Sequence, residues 1–254
     1  MSNARPRYPS QPIRPLKALK AFNGLVGDRD DTRYVFAFFE AVNGRSQEAW
    51  FDRFFVSDYG RAIVDDPERV ERTLTDRKAL EAHGPGTFAH AYLHYLDSEG
   101  LHPTGVHEAH WDQAPETMAR LQREWPHLYA LSYMMALTHD LYHVLTGYGR
   151  DPLGEALLLV FTGCQTGSRG SRLLGAMAGL RIRAEIPAWP VGGMMKEAVR
   201  LSRASTNFAS VDLLELLALP LDEARAQLKL ESPTLYVATR QAWSGPEPVS
   251  ARAA

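Results

Sequence analysis

The chain has 254 residues, 45% of them apolar and 23% charged, which is the composition of a globular chain able to bury a sizeable core. A net charge of -2 argues against a generic nucleic-acid binder, for which a basic footprint is expected. A single cysteine, Cys164, excludes an intrachain disulfide and a Cys-rich zinc site, and fits a reducing compartment.

Residues 1–27 carry Arg5, Arg7, Arg14, Lys17 and Lys20 without an acid, and Pro6, Pro9, Pro12 and Pro15. The prolines oppose an amphipathic helix, and no apolar core of a secretory signal is present. This stretch is expected to be a disordered or extended arm.

From there on the periodicity is helical. Asp30 to Asn43 carries the stripe Tyr34, Val35, Phe38, Phe39 and Val42 and ends at Asn43-Gly44. Segments 46–64 and 67–82 give two further amphipathic helices. After the breaker His83-Gly84-Pro85-Gly86, Thr87 caps a helix with Phe88, Ala91, Tyr92 and Tyr95 on it, ending near Gly100. Residues 101–115, rich in His, Pro and Gly, read as a loop. The longest helix is expected from Trp125-Pro126 to Thr146. Its Leu128, Leu131, Met134, Met135, Leu137, Leu141, Val144 and Leu145 wrap the whole circumference, the pattern of a buried helix.

Gly147, Gly149 and Pro152 break that helix, and another begins near Gly154. Segments 168–184, 193–206, 210–219 and 221–229 continue as helices. Neither strand alternation with hairpin turns, nor an internal repeat, nor an apolar run of 18 residues occurs. The expected class is all-α: a single-domain multi-helix bundle over 28–232 around a buried central helix, with an arm at 1–27 and a tail at 233–254 that includes a short helical part.

That central helix carries charge where burial is deepest. At about 100° per residue, His139, Asp140 and His143 fall on one side, and Glu155 opens the next helix. His139 and His143 stand at the i, i+4 spacing of helical zinc sites. A divalent cation would satisfy two imidazoles and two carboxylates together, whereas an unpaired buried carboxylate costs several kcal/mol, about 3–5. The HDxxH pattern alone reads first as a buried hydrogen-bond network without metal. It is related to the zincin HExxH, and it contains the pair of HD-type phosphohydrolases, although no further ligands for the latter are evident.

The longer run is more telling: His139-Asp140-Leu141-Tyr142-His143-Val144-Leu145-Thr146-Gly147-Tyr148, then Asp151 and Leu153-Gly154-Glu155. It resembles the signature of the ubiquinone (coenzyme Q) biosynthesis protein-four family, with the family's eleven residues between His143 and Glu155. Gly86-Thr87 before Tyr92, and Leu219-Pro220-Leu221 with Arg225 and Leu228, resemble flanking family segments, although Phe88 and Ala89 replace the expected Leu-Gly. The resemblance implies a mostly helical metal protein, zinc being expected first and iron or another transition metal as alternatives. His139, Asp140, His143 and Glu155 are the implied ligands and catalytic residues. It further implies a polyprenylated quinone precursor, a membrane surface, other ubiquinone biosynthesis proteins and a homodimer as partners.

The implied activity is oxidative decarboxylation of a polyprenylated hydroxybenzoate-type ring, carboxylate to hydroxyl at C1. A non-catalytic lipid-binding scaffold with a structural metal is the alternative. The implied place is peripheral, on the cytoplasmic face of a bacterial inner membrane or the matrix side of the mitochondrial one.

Three further features are weighed from the residues. Lys196, Arg200 and Arg203 form a basic stripe, either a solvated face or a contact for anionic membrane or lipid phosphate. His90 and His94, also at i, i+4, read as surface histidines. Gly163, Gly167, Gly170, Gly175 and Gly179 point to close helix packing, with a prenyl-chain slot as the alternative.

Overall fold

A computed structural model describes residues 8–9, 12–27, 33–245 and 248. In chain order its helices are α1 (Pro15–Gly27), α2 (Arg33–Asn43), α3 (Glu48–Val56), α4 (Asp58–Asp65), α5 (Arg69–Thr75), α6 (Arg77–Ala82), α7 (Phe88–Glu99) and α8 (Gly105–Gln113). They continue as α9 (Pro115–Glu124), α10 (Pro126–Leu137), α11 (His139–Thr146), α12 (Pro152–Thr166), α13 (Arg169–Glu185), α14 (Val191–Ala204), α15 (Leu221–Gln227) and α16 (Thr234–Ala242). Two short 3-10 turns, Phe208–Ser210 and Leu213–Leu216, precede α15. No strand occurs among the described residues, only an isolated bridge between Thr87 and Pro220. The all-α expectation is met, and the packing groups the helices into two compact units, each drawn from separate stretches of chain.

The first unit comprises residues 1–75 and 102–138. In it α10 packs against α4, α5, α8 and α9, and α1 against α2. Three local expectations are corrected here. Residues 15–27 are helical, not an extended arm. Pro15 closes the proline-rich stretch at a first helical position, where its missing N–H costs nothing, and Ala18 and Ala21 then bury one face. The start of the arm, residues 1–7, and Asp30 to Thr32 of the expected second helix lie outside the described residues. Segment 46–64 divides because the Ser57 hydroxyl caps a new helix, accepting from the Gly60 N–H at 2.9 Å. The expected loop 101–115 contains α8, which is held by packing: His107 meets Tyr133 at 4.3 Å between centroids and Trp111 meets Tyr129 at 6.4 Å.

The second unit comprises residues 76–101 and 139–254. Asp76 caps α6 through the Ala79 N–H, dividing the segment expected to run from 67 to 82. The expected helix 126–146 is likewise two, α10 and α11, separated at Thr138. The Thr138 hydroxyl returns to the Met134 carbonyl at 2.9 Å, a side-chain bond that competes with the helical ladder. Expected burial holds on both sides of this break: Leu128, Leu131, Met134 and Leu137, then Leu141, Val144 and Leu145, are all buried.

α12 is the centre of the second unit, packed on α11, α13 and α14. Gly175 of α13 lies against it so closely that a Cβ there would stand 2.5 Å from the Ala156 carbonyl oxygen, the close packing that the glycine-rich stretch points to. The C-terminal segment is tied down as well. Glu197, buried on α14, accepts the Thr234 hydroxyl at 2.8 Å and the Leu235 N–H at 3.1 Å, which fixes the start of α16.

Candidate metal centre

α11 and the start of α12 bring titratable residues of the second unit together. Seven of the eight residues of α11, Asp140 to Thr146, are buried. Two features fix the end of the helix. Arg225 on α15 donates from Nε to the Leu145 carbonyl at 2.9 Å and from Nη2 to the Val144 carbonyl at 3.0 Å. These are last-turn carbonyls that no residue of the helix itself can satisfy. The connection to α12 is equally constrained: a Cβ at Gly154 would lie 2.0 Å from the Gly149 carbonyl oxygen, so only glycine allows this approach. The Asp151 carboxylate accepts from the Leu153 and Gly154 N–H groups, both at 3.2 Å, capping α12 one residue before Glu155 enters its first turn.

His139, His143 and Glu155 converge, each offering one ligand atom within 4.8 Å of the others. Among the described residues this is the only such cluster of three. His143 is fully buried, and its Nδ1 lies 2.9 Å from the Tyr148 carbonyl oxygen. A carbonyl only accepts, so Nδ1 carries the proton and Nε2 presents a bare lone pair. That Nε2 is buried without a hydrogen-bond partner and stands 3.3 Å from Glu155 Oε1. His139 turns its Nε2 to Glu155 Oε2 at 4.0 Å, and its Nδ1 lies 3.3 Å from Asp140 Oδ1. Both imidazoles therefore direct Nε2 toward one carboxylate while Nδ1 is held from behind, the arrangement that metal-ligating histidines adopt.

Asp140 is buried beside His139, but its oxygens are not part of the three-residue cluster. In this geometry it orients an imidazole. Electrostatics follows the same pattern. Burial works against charge on His139, but the contact with Asp140 and the charges of Glu155 and Asp140 outweigh it and raise the imidazole pKa. Burial likewise penalises the Glu155 carboxylate, yet His143, His139 and Arg150 hold its pKa below the ordinary value. The orphaned Nε2 of His143, and a donor set of two nitrogens and a carboxylate, fit a divalent transition metal.

The other candidates lie elsewhere. His90 and His94 are exposed on α7. Lys196, Arg200 and Arg203 are exposed on α14, with Arg200 paired to Glu231 at 2.6 Å. Sequence reasoning missed three parts of the site. The Tyr95 ring on α7 stacks on His143, with centroids 5.6 Å apart and planes 18° from parallel. Arg150, paired with Glu99 at 3.7 Å, bears electrostatically on His139 and Glu155. The Tyr148 carbonyl sets the His143 tautomer. A backbone acceptor carries no side-chain signal, so only the Gly147-Tyr148 turn directly after the helix hinted at it.

Residues 15–234 match the family described as coenzyme Q (ubiquinone) biosynthesis protein Coq4. The ubiquinone biosynthesis protein COQ4 homolog 1, mitochondrial, of Culex quinquefasciatus is 27% identical over 141 residues, 53% of this chain and 47% of that protein. The ubiquinone biosynthesis protein coq4, mitochondrial, of Pyrenophora tritici-repentis is 28% identical over 192 residues, 75% of this chain and 62% of that one. The aligned part thus spans about half to three-fifths of the length of these relatives. The crystal structure of a candidate ubiquinone biosynthesis protein from Nostoc punctiforme PCC 73102 shares the fold, with a TM-score of 0.51 at 19% identity, over 87% of this chain and all of that one.

Proposed function

This chain belongs to the coenzyme Q (ubiquinone) biosynthesis protein Coq4 family, and from that premise we propose that it is a metal-dependent enzyme of the pathway, replacing the C1 carboxylate of a polyprenylated hydroxybenzoate-type ring by hydroxyl. A role in coenzyme Q biosynthesis follows from membership and from the relatives' names. The observation that carries the finer reading is the convergence of His139, His143 and Glu155 around a buried, unpartnered His143 Nε2.

His139 and His143 through Nε2, with a Glu155 oxygen, would hold the metal, and Asp140 would keep the His139 ring turned toward it. A bound divalent metal, zinc being expected first, supplies a Lewis-acid charge that favours a carboxylate or phenolate oxygen. Carboxylate-to-hydroxyl exchange releases carbon dioxide and is an oxidation. Zinc transfers no electrons, so dioxygen would have to serve as the oxidant and source of the hydroxyl oxygen, acting on the electron-rich ring directly or with the help of a redox-active metal in place of zinc. Three protein ligands leave a coordination position open, the mark of a catalytic site. The side chains of His139 and Glu155 remain 36% and 37% exposed, which gives that position a way in, while His143 is sealed.

No helix among the described residues is long and apolar enough to cross a membrane. The reading places the protein peripherally, on the inner membrane face, with the prenyl tail along the glycine-rich helices and other ubiquinone biosynthesis proteins as partners. The test is lipid mass spectrometry in cells lacking the gene and complemented with Glu155→Gln. Accumulation of a prenylated ring that keeps its carboxylate supports the enzyme. Normal conversion by a folded, metal-depleted Glu155→Gln protein would reject it in favour of the scaffold.

A further inference from the structure

Three tyrosine hydroxyls of the second unit, those of Tyr92, Tyr95 and Tyr148, are buried without a hydrogen-bond partner, and a fourth buried tyrosine, Tyr142, has contacts of its own. An unmade hydrogen bond in a protein interior is costly, so it is retained where something else makes it. Tyr148 is held away from the cluster: the charges that bear on its hydroxyl are Glu197 and Arg200, and its contribution to the site is its carbonyl. Tyr142 is turned edge-on to Phe208, 5.4 Å between centroids, and interacts there. Tyr92 is completely buried, ring included, and Asp140 is the one charge that bears on its hydroxyl. Tyr95 differs from all three. Its ring is only half-buried and stacks on His143, while its hydroxyl, buried like theirs, is subject to Asp140, Glu155 and Glu99 on the negative side and Arg150 on the positive.

We propose that Tyr95 recognises the substrate, its hydroxyl donating a hydrogen bond to a carboxylate or phenolate oxygen of the ligand held at the His139–His143–Glu155 centre. This rests on the reading of that centre as a metal site for an aromatic acid. Two observations support it together. The Tyr95 ring covers one face of His143, so its position is tied to the ligand it would accompany. The hydroxyl is buried and has no protein acceptor, so the site leaves the donor unspent. The tyrosine contributes selectivity as well. A buried donor discriminates strongly against ligands that lack its acceptor, because the hydroxyl then stays unpaired.

The test uses full-length protein loaded with cobalt(II), whose visible absorption reports ligation, titrated with 4-hydroxybenzoate as the aromatic-acid probe. Tyr95→Phe is expected to bind one cobalt(II) with wild-type affinity and spectrum, and to bind 4-hydroxybenzoate about tenfold more weakly, the loss typical of one hydrogen bond to a charged group. Tyr92→Phe should titrate as the wild type does. Identical titrations of Tyr95→Phe and wild type would overturn the proposal. Weakened cobalt(II) binding in Tyr95→Phe would overturn it too, since the ring would then act only by supporting His143. Failure of the wild type to take up cobalt(II) counts against the metal reading itself. Uptake without any spectral response to millimolar 4-hydroxybenzoate counts against this proposal and leaves the metal reading standing.

Discussion

Replacing Arg225 by methionine keeps the length and apolar stem of the side chain while removing two bonds that end α11. Its Nε and Nη2 donate to the Leu145 and Val144 carbonyls at 2.9 and 3.0 Å, and both are charge-assisted. Each bond of this kind contributes about 1.5 kcal/mol net. The Asp222 pair adds little, because the Asp222 side chain is 96% exposed. Arg225 is itself 24% exposed and water can partly re-satisfy the freed carbonyls, so the expected loss is about 2–3 kcal/mol. For a chain of this size that lowers the unfolding midpoint by about 5–10 °C. His143 lies two residues before Leu145, so loosening the last turn should also misplace a ligand and weaken zinc binding in a chelator competition. Circular-dichroism melts with and without zinc are the assay. A midpoint within about 1 °C of wild type, with unchanged zinc affinity, would show that Arg225 does not secure the metal-bearing helix.

Four further outcomes are expected. The protein prepared without chelator should carry one divalent metal per chain by elemental analysis, and His143→Ala should lose it; metal-free wild-type protein after zinc and iron supplementation would be the contrary result. The zinc-induced rise in melting temperature should widen between about pH 5.5 and pH 8. In the metal-free protein the raised His139 stabilises fully below its unfolded value of 6.5 and fades as pH rises through its folded pKa, whereas the lowered Glu155 stabilises fully above 4.5 and fades as pH falls through its folded pKa. Their mutual support is thus greatest between those values, metal binding requires neutral imidazoles, and a zinc effect independent of pH would contradict this. Gly154→Ala should destabilise by about 2 kcal/mol or more, since its methyl group meets the Gly149 carbonyl oxygen and the backbone must move; a variant as stable as wild type would mean that the turn yields easily. Lys196→Glu with Arg200→Glu should reduce flotation with anionic vesicles and leave metal content unchanged, and equal flotation of the two proteins would remove α14 as the membrane contact.

The helical class was legible because apolar residues recur at helical spacing along most of the chain, a regularity that survives whatever the helices later pack against. The convergence of His139 and His143 was legible for a related reason: their i, i+4 geometry is local, and any helix through those residues puts both on one side. Helix boundaries were less so. Ser57 and Asp76 are ordinary polar residues in an amphipathic pattern until their side chains turn back to cap the next helix. α8 forms inside a stretch rich in His, Pro and Gly because Tyr129 and Tyr133 of α10 receive its aromatic residues, and α10 lies more than a dozen residues away.

Asp140 marks the limit most clearly. Sequence alone places its carboxylate on the same side of α11 as the two histidines and makes it a fourth ligand. The direction of one side chain, which periodicity does not specify, sets it against His139 Nδ1 and outside the three-residue cluster. The same holds for Tyr95, Arg150 and Arg225. Each stands on another segment of the chain, and its relation to α11 exists only once α7, α12 and α15 have packed. Local spacing determines what one helix can offer to a metal, and tertiary packing alone decides which distant groups surround it.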